Sequence, residues 1–300
     1  METLVKGFGV DVEEAKSLEQ AVDLAGFNWS VYSEPIHRPN GIVIPNSKLI
    51  VREDTNEPLG IVGDDYKVVQ NAECLAPVSD ILGADKFSLY RGFSFKGGRR
   101  FGFLLHSGLH VPLKNGHDIE LLCRIESSHD GSKAITAYFI PKNAVCWNMV
   151  VIEVADKFHG SRIYIKHTVN AANRLDYNRL FAAGQQYRDV LERDFNAFLN
   201  TAASRDTARS IFNRIAGGDK DNVSTRAKND VDRLVELFET GVGNEGRSLW
   251  DVEQAATQWV SHERSTRGNP ENRIIAALDG SGRVFVNKVH QELLKLVNLN

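Results

Sequence analysis

The hydrophobic pattern changes its period near residue 168. Before that point apolar positions mostly recur every second residue, the signature of strands with one face buried. Ile42 to Val51 and Leu59 to Val69 read as paired strands, joined by the turn-forming run Asp54-Thr55-Asn56-Glu57-Pro58. Residues 86–95 and 99–106 make a second hairpin around Lys96-Gly97-Gly98. Residues 118–127 and 133–140 make a third around His129-Asp130-Gly131. Val145 to Glu153 and Arg162 to His167 add further strands. Two helices interrupt this region. One covers 12–25, with Val12, Ala15, Leu18, Val22 and Ala25 on one face and Gly26 as its stop. The other covers 72–82, with Asn71 as its expected cap.

After residue 168 the period becomes 3.6. Residues 171–202 carry Leu175, Leu180, Ala183, Tyr187, Val190, Leu191, Phe195 and Phe198 at helical spacing. Residues 226–240 form a second helix closed by Gly241. Ser248-Leu249-Trp250-Asp251 matches a capping box opening a third, to about Ser261. Residues 270–278 and 284–297 add two more. Strands first and helices after predict an α+β fold with an antiparallel β-rich N-terminal half and a helical C-terminal half. The expected division is a β-rich core over 1–168 and a helical region over 169–300, packed on or extending from it.

Composition narrows the class without naming a function. The 300 residues include 36 Lys and Arg against 39 Asp and Glu, so the chain is not a globally basic nucleic-acid binder. Any polyanion site must be a local patch. Three cysteines, Cys74, Cys123 and Cys146, form no C-x-x-C pair, which fits a reducing compartment and excludes a zinc ribbon. No apolar run reaches the ~18 residues of a membrane span, and Met1-Glu2-Thr3-Leu4 lacks the order of a signal peptide, so the cytoplasm is the expected location.

The candidate chemistry is modest. Gly241-Val242-Gly243-Asn244-Glu245-Gly246 matches G-x-G-x-x-G literally, but a helix precedes it where a dinucleotide fingerprint needs a strand, so it reads as a helix stop and loop. His106 and His110, with His117-Asp118 and His129-Asp130, do not amount to a metal set, because ligation needs three or four convergent groups. No metal and no cofactor are expected. Cys146 sits in an apolar stretch, where thiols are inert. Residues 85–116 hold the strongest local signal: six cations against Asp85, interleaved with Phe87, Tyr90, Phe93, Phe95, Phe101 and Phe103. Cations can follow a phosphate backbone while rings stack on bases. In the bland alternative the rings face a core and the cations face water.

The ordered set Leu59-Gly60 through Asp65-Tyr66-Lys67 to Gln70-Asn71, then Gly97-Gly98-Arg99-Arg100, Ser128-His129-Asp130-Gly131-Ser132, Val145-Cys146-Trp147-Asn148 and Lys166-His167-Thr168 resembles the phage- and plasmid-carried family catalogued as domain of unknown function 932, over roughly residues 30–290. The resemblance implies a mobile-element protein of the bacterial cytoplasm. It marks Tyr66, Gly98, Arg99, His129, Asp130, Gly131, Cys146, Asn148 and His167 as motif positions and supplies no catalytic roles. Trp147 departs from the polar residue expected there. The working expectation is a DNA-metabolism protein that binds single-stranded DNA, as a homo-oligomer that anneals strands. Arg91, Lys96, Arg99 and Arg100 would contact phosphates, and Tyr90, Phe93 or Phe95 would stack on bases. Two other readings stand beside it: a nucleotide or nucleic-acid hydrolase using His129, Asp130 and His167, and an interaction module against a host defence component.

Overall fold

A computed structural model describes residues 8–82, 87–143, 148–149, 152, 162–165, 177–216, 224–268 and 270–297. Nine strands and eight helices are placed among them. Strands β1 (Val10–Asp11), β5 (Ser88–Phe95), β6 (Arg100–Pro112), β7 (Asp118–Ser128), β8 (Ile135–Asn143) and β9 (Arg162–Ile165) form one six-stranded sheet in the order β1-β5-β6-β7-β8-β9. Every pairing in it is antiparallel. Strands β2 (Val31–His37), β3 (Val43–Arg52) and β4 (Pro58–Val62) form a separate antiparallel sheet of three. Helices α1 (Leu18–Leu24) and α2 (Asn71–Leu82) belong to this strand-rich half. Helices α3 (Tyr177–Asn200), α4 (Arg205–Ala216), α5 (Thr225–Thr240), α6 (Leu249–Gln258), α7 (Pro270–Asp279) and α8 (Ser281–Leu296) make the other, with a π-turn over Trp259–Glu263 continuing α6. The chain is therefore an α+β protein, as the change of period predicts.

The large sheet is covered on both faces. Phe101, Phe103, Leu105, Leu121, Cys123, Ile125 and Phe139 belong to a core that extends into α3 to α6 and α8 through Leu191, Phe195, Phe212, Leu234, Trp250 and Val289. This core takes residues from both sides of residue 168. Opposite faces of the same strands put Tyr90, Phe93, Phe95, Leu104, Leu122, Tyr138 and Ile140 into a second core, closed by Phe8 and by Ile274 and Leu278 of α7. Strand β8 is buried at every position. Burial on both sides explains why its apolar residues run together rather than alternate.

Several elements depart from the sequence reading. The first helix starts at Leu18 with Ser17 as its cap; Val12, upstream, donates to the carbonyl of Tyr90 and extends the β1 pairing. Asn71 does not cap α2. It is buried, and its Nδ2 donates to the carbonyls of Phe27 (2.9 Å) and Trp29 (3.0 Å). The expected strand over 59–69 ends at Val62, and α4 and β2 add to the elements that the pattern predicts. The capping box at Ser248 and Asp251 and the stop of α5 at Gly241 are present. Residues 145–147 and 166–168, with Cys146 and His167, lie outside the described residues.

Candidate functional site

The β5–β6 hairpin turns through three consecutive left-handed residues, Lys96, Gly97 and Gly98. Gly98 is needed here: a Cβ would meet the Trp29 ring at 2.7 Å. The turn exposes Lys96 and Arg99, and nothing else from the expected nucleic-acid set is fully solvent-facing. Tyr90, Phe93 and Phe95 are core residues; Phe93 packs its ring 5.1 Å from that of Phe8. Their expected stacking on bases is corrected by this placement: both faces of the sheet are covered, and the register shift between Leu89 and Arg91 puts Phe93 and Phe95 in the second core with Tyr90. Arg91 is half-buried and reaches back to the carbonyls of Phe8 and Gly9. Arg100 is committed too: its Nη2 donates to Glu126 (2.8 Å) and Asp279 (2.6 Å). Acidic neighbours also crowd the exposed pair. Glu271 accepts from the Lys96 amide, and the Glu57 carboxylate stands 3.2 Å from where a Gly97 Cβ would be.

Beneath the hairpin lies a cluster of five charges. Arg124, with a fully buried side chain, donates to Glu126 at 2.7 Å and lies 3.5 Å from Asp279. Its guanidinium sits over the rings of Phe93 (4.7 Å) and Tyr138 (5.7 Å). Lys133 pairs with Asp279 at 2.8 Å and with Glu126. Burial would raise both carboxyl pKa values, but Arg124 and Lys133 outweigh it and hold Glu126 and Asp279 below the usual carboxylate range. The cluster joins the sheet to α7.

The turn at His129-Asp130-Gly131 is structural. Gly131 has φ +71°, and Asp130 Oδ1 accepts from the Ser132 amide at 2.9 Å, as the turn chemistry predicts. His129 is 1% exposed, stacks on Phe101 and meets Asn71 Oδ1 through Nε2 at 2.7 Å. Tyr66 Oη donates to the Ser128 carbonyl, and Gly60 lies so close to Asp130 that a Cβ there would clash at 2.6 Å. His129 is thus sealed under the small sheet, which corrects its expected acid–base role; His167 lies outside the described residues. His106 and His110 each meet a separate carboxylate, Glu120 and Asp118. Among the described residues no three metal-ligating side chains converge.

The accessible cationic surface lies elsewhere, where α4, α5 and α8 meet. Two adjoining cavities of about 480 and 370 Å³ share Ile215, Val284 and Lys288. Arg214, Arg283, Lys288 and Lys295 line the first, and Arg226, Arg264 and Lys288 the second, against the carboxylates Glu292 and Asp230. Arg214 and Lys295 both reach Glu292, at 2.5 and 3.0 Å. Arg264 stacks 5.3 Å from the Trp259 ring, and its buried Nη1 has no hydrogen-bond partner. Burial lowers the Arg264 pKa, with Asp230 opposing and Arg226 adding to the shift. An anion in the second cavity would relieve that charge. These cations are spread from residue 214 to residue 295, so no local run in the sequence marks them.

The model of the family described as Domain of unknown function (DUF932) matches residues 58–278. The chain belongs to this family. It matches no curated protein and no solved structure. The matched region runs from β4 through β9 and from α2 into α7, ending one residue short of Asp279, so it takes in the hairpin, the sealed turn and four of the five clustered charges. Of the motif positions, Gly98, His129 and Gly131 meet backbone and packing demands. Asn148 bonds Thr257 (3.0 Å) and His262 (3.1 Å), tying the strand-rich half to α6 and its π-turn. No helix among the described residues is long and apolar enough to cross a membrane.

Proposed function

We propose that this DUF932 protein binds single-stranded nucleic acid without catalysing a reaction, and that the strand lies in the groove along α8. The observation that carries this reading is the groove itself: six cationic side chains against two carboxylates, in a chain whose net charge is −3. Lys288 stands at the junction of the two cavities and is exposed, so it can meet a phosphate without unfolding anything. Binding of this kind is driven by release of counterions from the strand and is independent of base sequence. Assembly of several copies on one strand would multiply a modest single-site affinity, which suits an annealing protein of a phage or plasmid in a bacterial cytoplasm. The buried free thiols Cys74 and Cys123 fit that reducing compartment.

The test is a titration of a fluorescent oligonucleotide at several salt concentrations. Lys288→Ala combined with Arg226→Ala should weaken binding and reduce the log–log salt slope by about 1.4, since each lost single-strand phosphate contact removes ~0.7. Lys96→Ala with Arg99→Ala should leave both unchanged. If the hairpin pair abolishes binding and the groove pair does not, the strand lies on the hairpin. If wild-type protein shows no salt-dependent affinity, the nucleic-acid reading fails.

A further inference from the structure

The two cavities of the α8 groove differ in their walls. The first, between α4 and α8, is mostly polar, with Ile215 and Val284 as its apolar members. The second lies between the end of α4, the start of α5, the π-turn and the start of α8. Half of its lining side chains are apolar: Ile215, Ala216, Ala227, Trp259, Val284 and Phe285. Arg226, Arg264 and Lys288 stand beside them in the same wall.

Trp259 and Phe285 belong to the main core, with ring centroids 5.1 Å apart, and Ile215 and Ala216 pack against the same core. A seam between helices normally closes on such side chains, since interiors pack with few voids larger than a water molecule. Here the seam stays open over about 370 Å³. Val284, where the two cavities join, is 48% exposed, and Ile215, Ala216 and Ala227 are half-buried. The apolar wall is therefore reached from the groove as well as from the core. Phosphate contacts alone need no such wall. Open apolar surface beside cations suits a group that has an apolar face and carries a phosphate, which describes one unit of a single strand.

We infer that the second cavity takes up one base of the bound strand, while the flanking phosphates sit on Lys288 at the junction and on the cations of the first cavity. This inference rests on the groove reading. Every base has an apolar face, so such a cavity holds a strand without reading its sequence. The volume lies in the usual range for pockets that enclose a small molecule, with room for one base and its sugar. The cavity also favours single strands, because a base in a duplex must first be unpaired and unstacked.

Titration of a fluorescent single strand against an abasic strand of the same length and charge, at several salt concentrations, tests it. The abasic strand should bind wild-type protein at least about fivefold more weakly, with the same salt slope, because a base is lost and the phosphates are kept. Ala227→Leu narrows the cavity, removes no cation and keeps a good helix former. Val284→Ser removes apolar surface at an exposed position, where substitutions change stability little. Each variant should weaken the normal strand at least about threefold on the same grounds, with its salt slope and the affinity of the abasic strand unchanged. Lys288→Ala with Arg226→Ala should instead lower the slope for both strands. Equal binding of the two strands by wild-type protein, undiminished binding of the normal strand by both cavity variants, or an equal loss for both strands would overturn the base assignment and leave the groove standing. No salt-dependent binding of either strand would overturn both.

Discussion

His290 illustrates how much a single buried group can contribute. It is fully buried between two carboxylates, with Nδ1 3.1 Å from Glu253 and Nε2 3.5 Å from Asp194. Burial disfavours its charge, but Glu253 and Asp194 outweigh this and raise its pKa to about 9. A raised histidine pKa stabilises the fold fully below the unfolded value of ~6.5, and that stability is lost as pH rises through about 9. His290→Gln should therefore cost about 3 kcal/mol at pH 6, because it removes the cation beside buried Glu253 and leaves Asp194 with Arg193 alone. The gap between variant and wild type should narrow on going from pH 7 to pH 10. Urea denaturation across that range checks it; a gap independent of pH would show that His290 is neutral in the folded protein. The same logic separates legible from illegible residues. The left-handed Gly131 and the Ser248–Asp251 box were readable because their chemistry is local. The fates of Arg100 and Arg124 were not, because Asp279 lies 179 residues from Arg100.

At the scale of elements, α7 is held to the sheet by both apolar and ionic contacts. Ile274 and Leu278 close the second core, while Asp279 meets Arg100, Arg124 and Lys133, and Glu271 meets the Lys96 amide. Asp279→Asn should cost about 3 kcal/mol at pH 7, since it leaves buried cations under-compensated. Hydrogen exchange should localise the loosening to α7 and the β5–β6 turn; a uniform loss of protection would mean that α7 is not a separate unit. Asp279 has a depressed pKa, so its stabilisation is present above the ordinary carboxylate range and fades as pH falls through the lowered value. The wild-type–Asn gap should accordingly close in acid. An element with one periodic face, such as α5, is legible from spacing, whereas α6, buried at every position, is legible from its capping box. Helix α4 carries the helical spacing at Ala208, Ile211, Phe212 and Ile215, whereas β2 is hidden because Glu34, Pro35 and His37 leave it little apolar alternation. The basic hairpin was legible as composition, but composition does not say which way a strand faces. The shift between Leu89 and Arg91 puts Phe93 and Phe95 on the side of Tyr90, and helices and loops covering both faces of the sheet bury all three.

For the whole molecule, charge distribution sets how the proposed binding of a nucleic-acid strand would work. The groove is cationic while the chain carries −3, so the far field does little to steer a polyanion and association depends on short-range contact. On that proposal, a few phosphates per copy would give an affinity that falls steeply with salt. Repeating the groove along one strand makes each later contact intramolecular, which raises avidity without any new residue–phosphate contact. Affinity should then depend strongly on strand length. A 10-nucleotide strand, which engages a single groove, should bind at least a hundredfold more weakly at 0.1 M salt than a 60-nucleotide strand, a ratio within the range expected of linked sites. Sedimentation at increasing protein-to-strand ratios should show several copies on the long strand and one on the short. Lys288→Ala with Arg226→Ala should lower affinity for both strands, and more for the long one, because the loss is repeated in every copy. If affinity per site is the same for both lengths and only one copy binds the long strand, the protein acts as a monomer on nucleic acid, and the annealing assembly is wrong even if the groove is right.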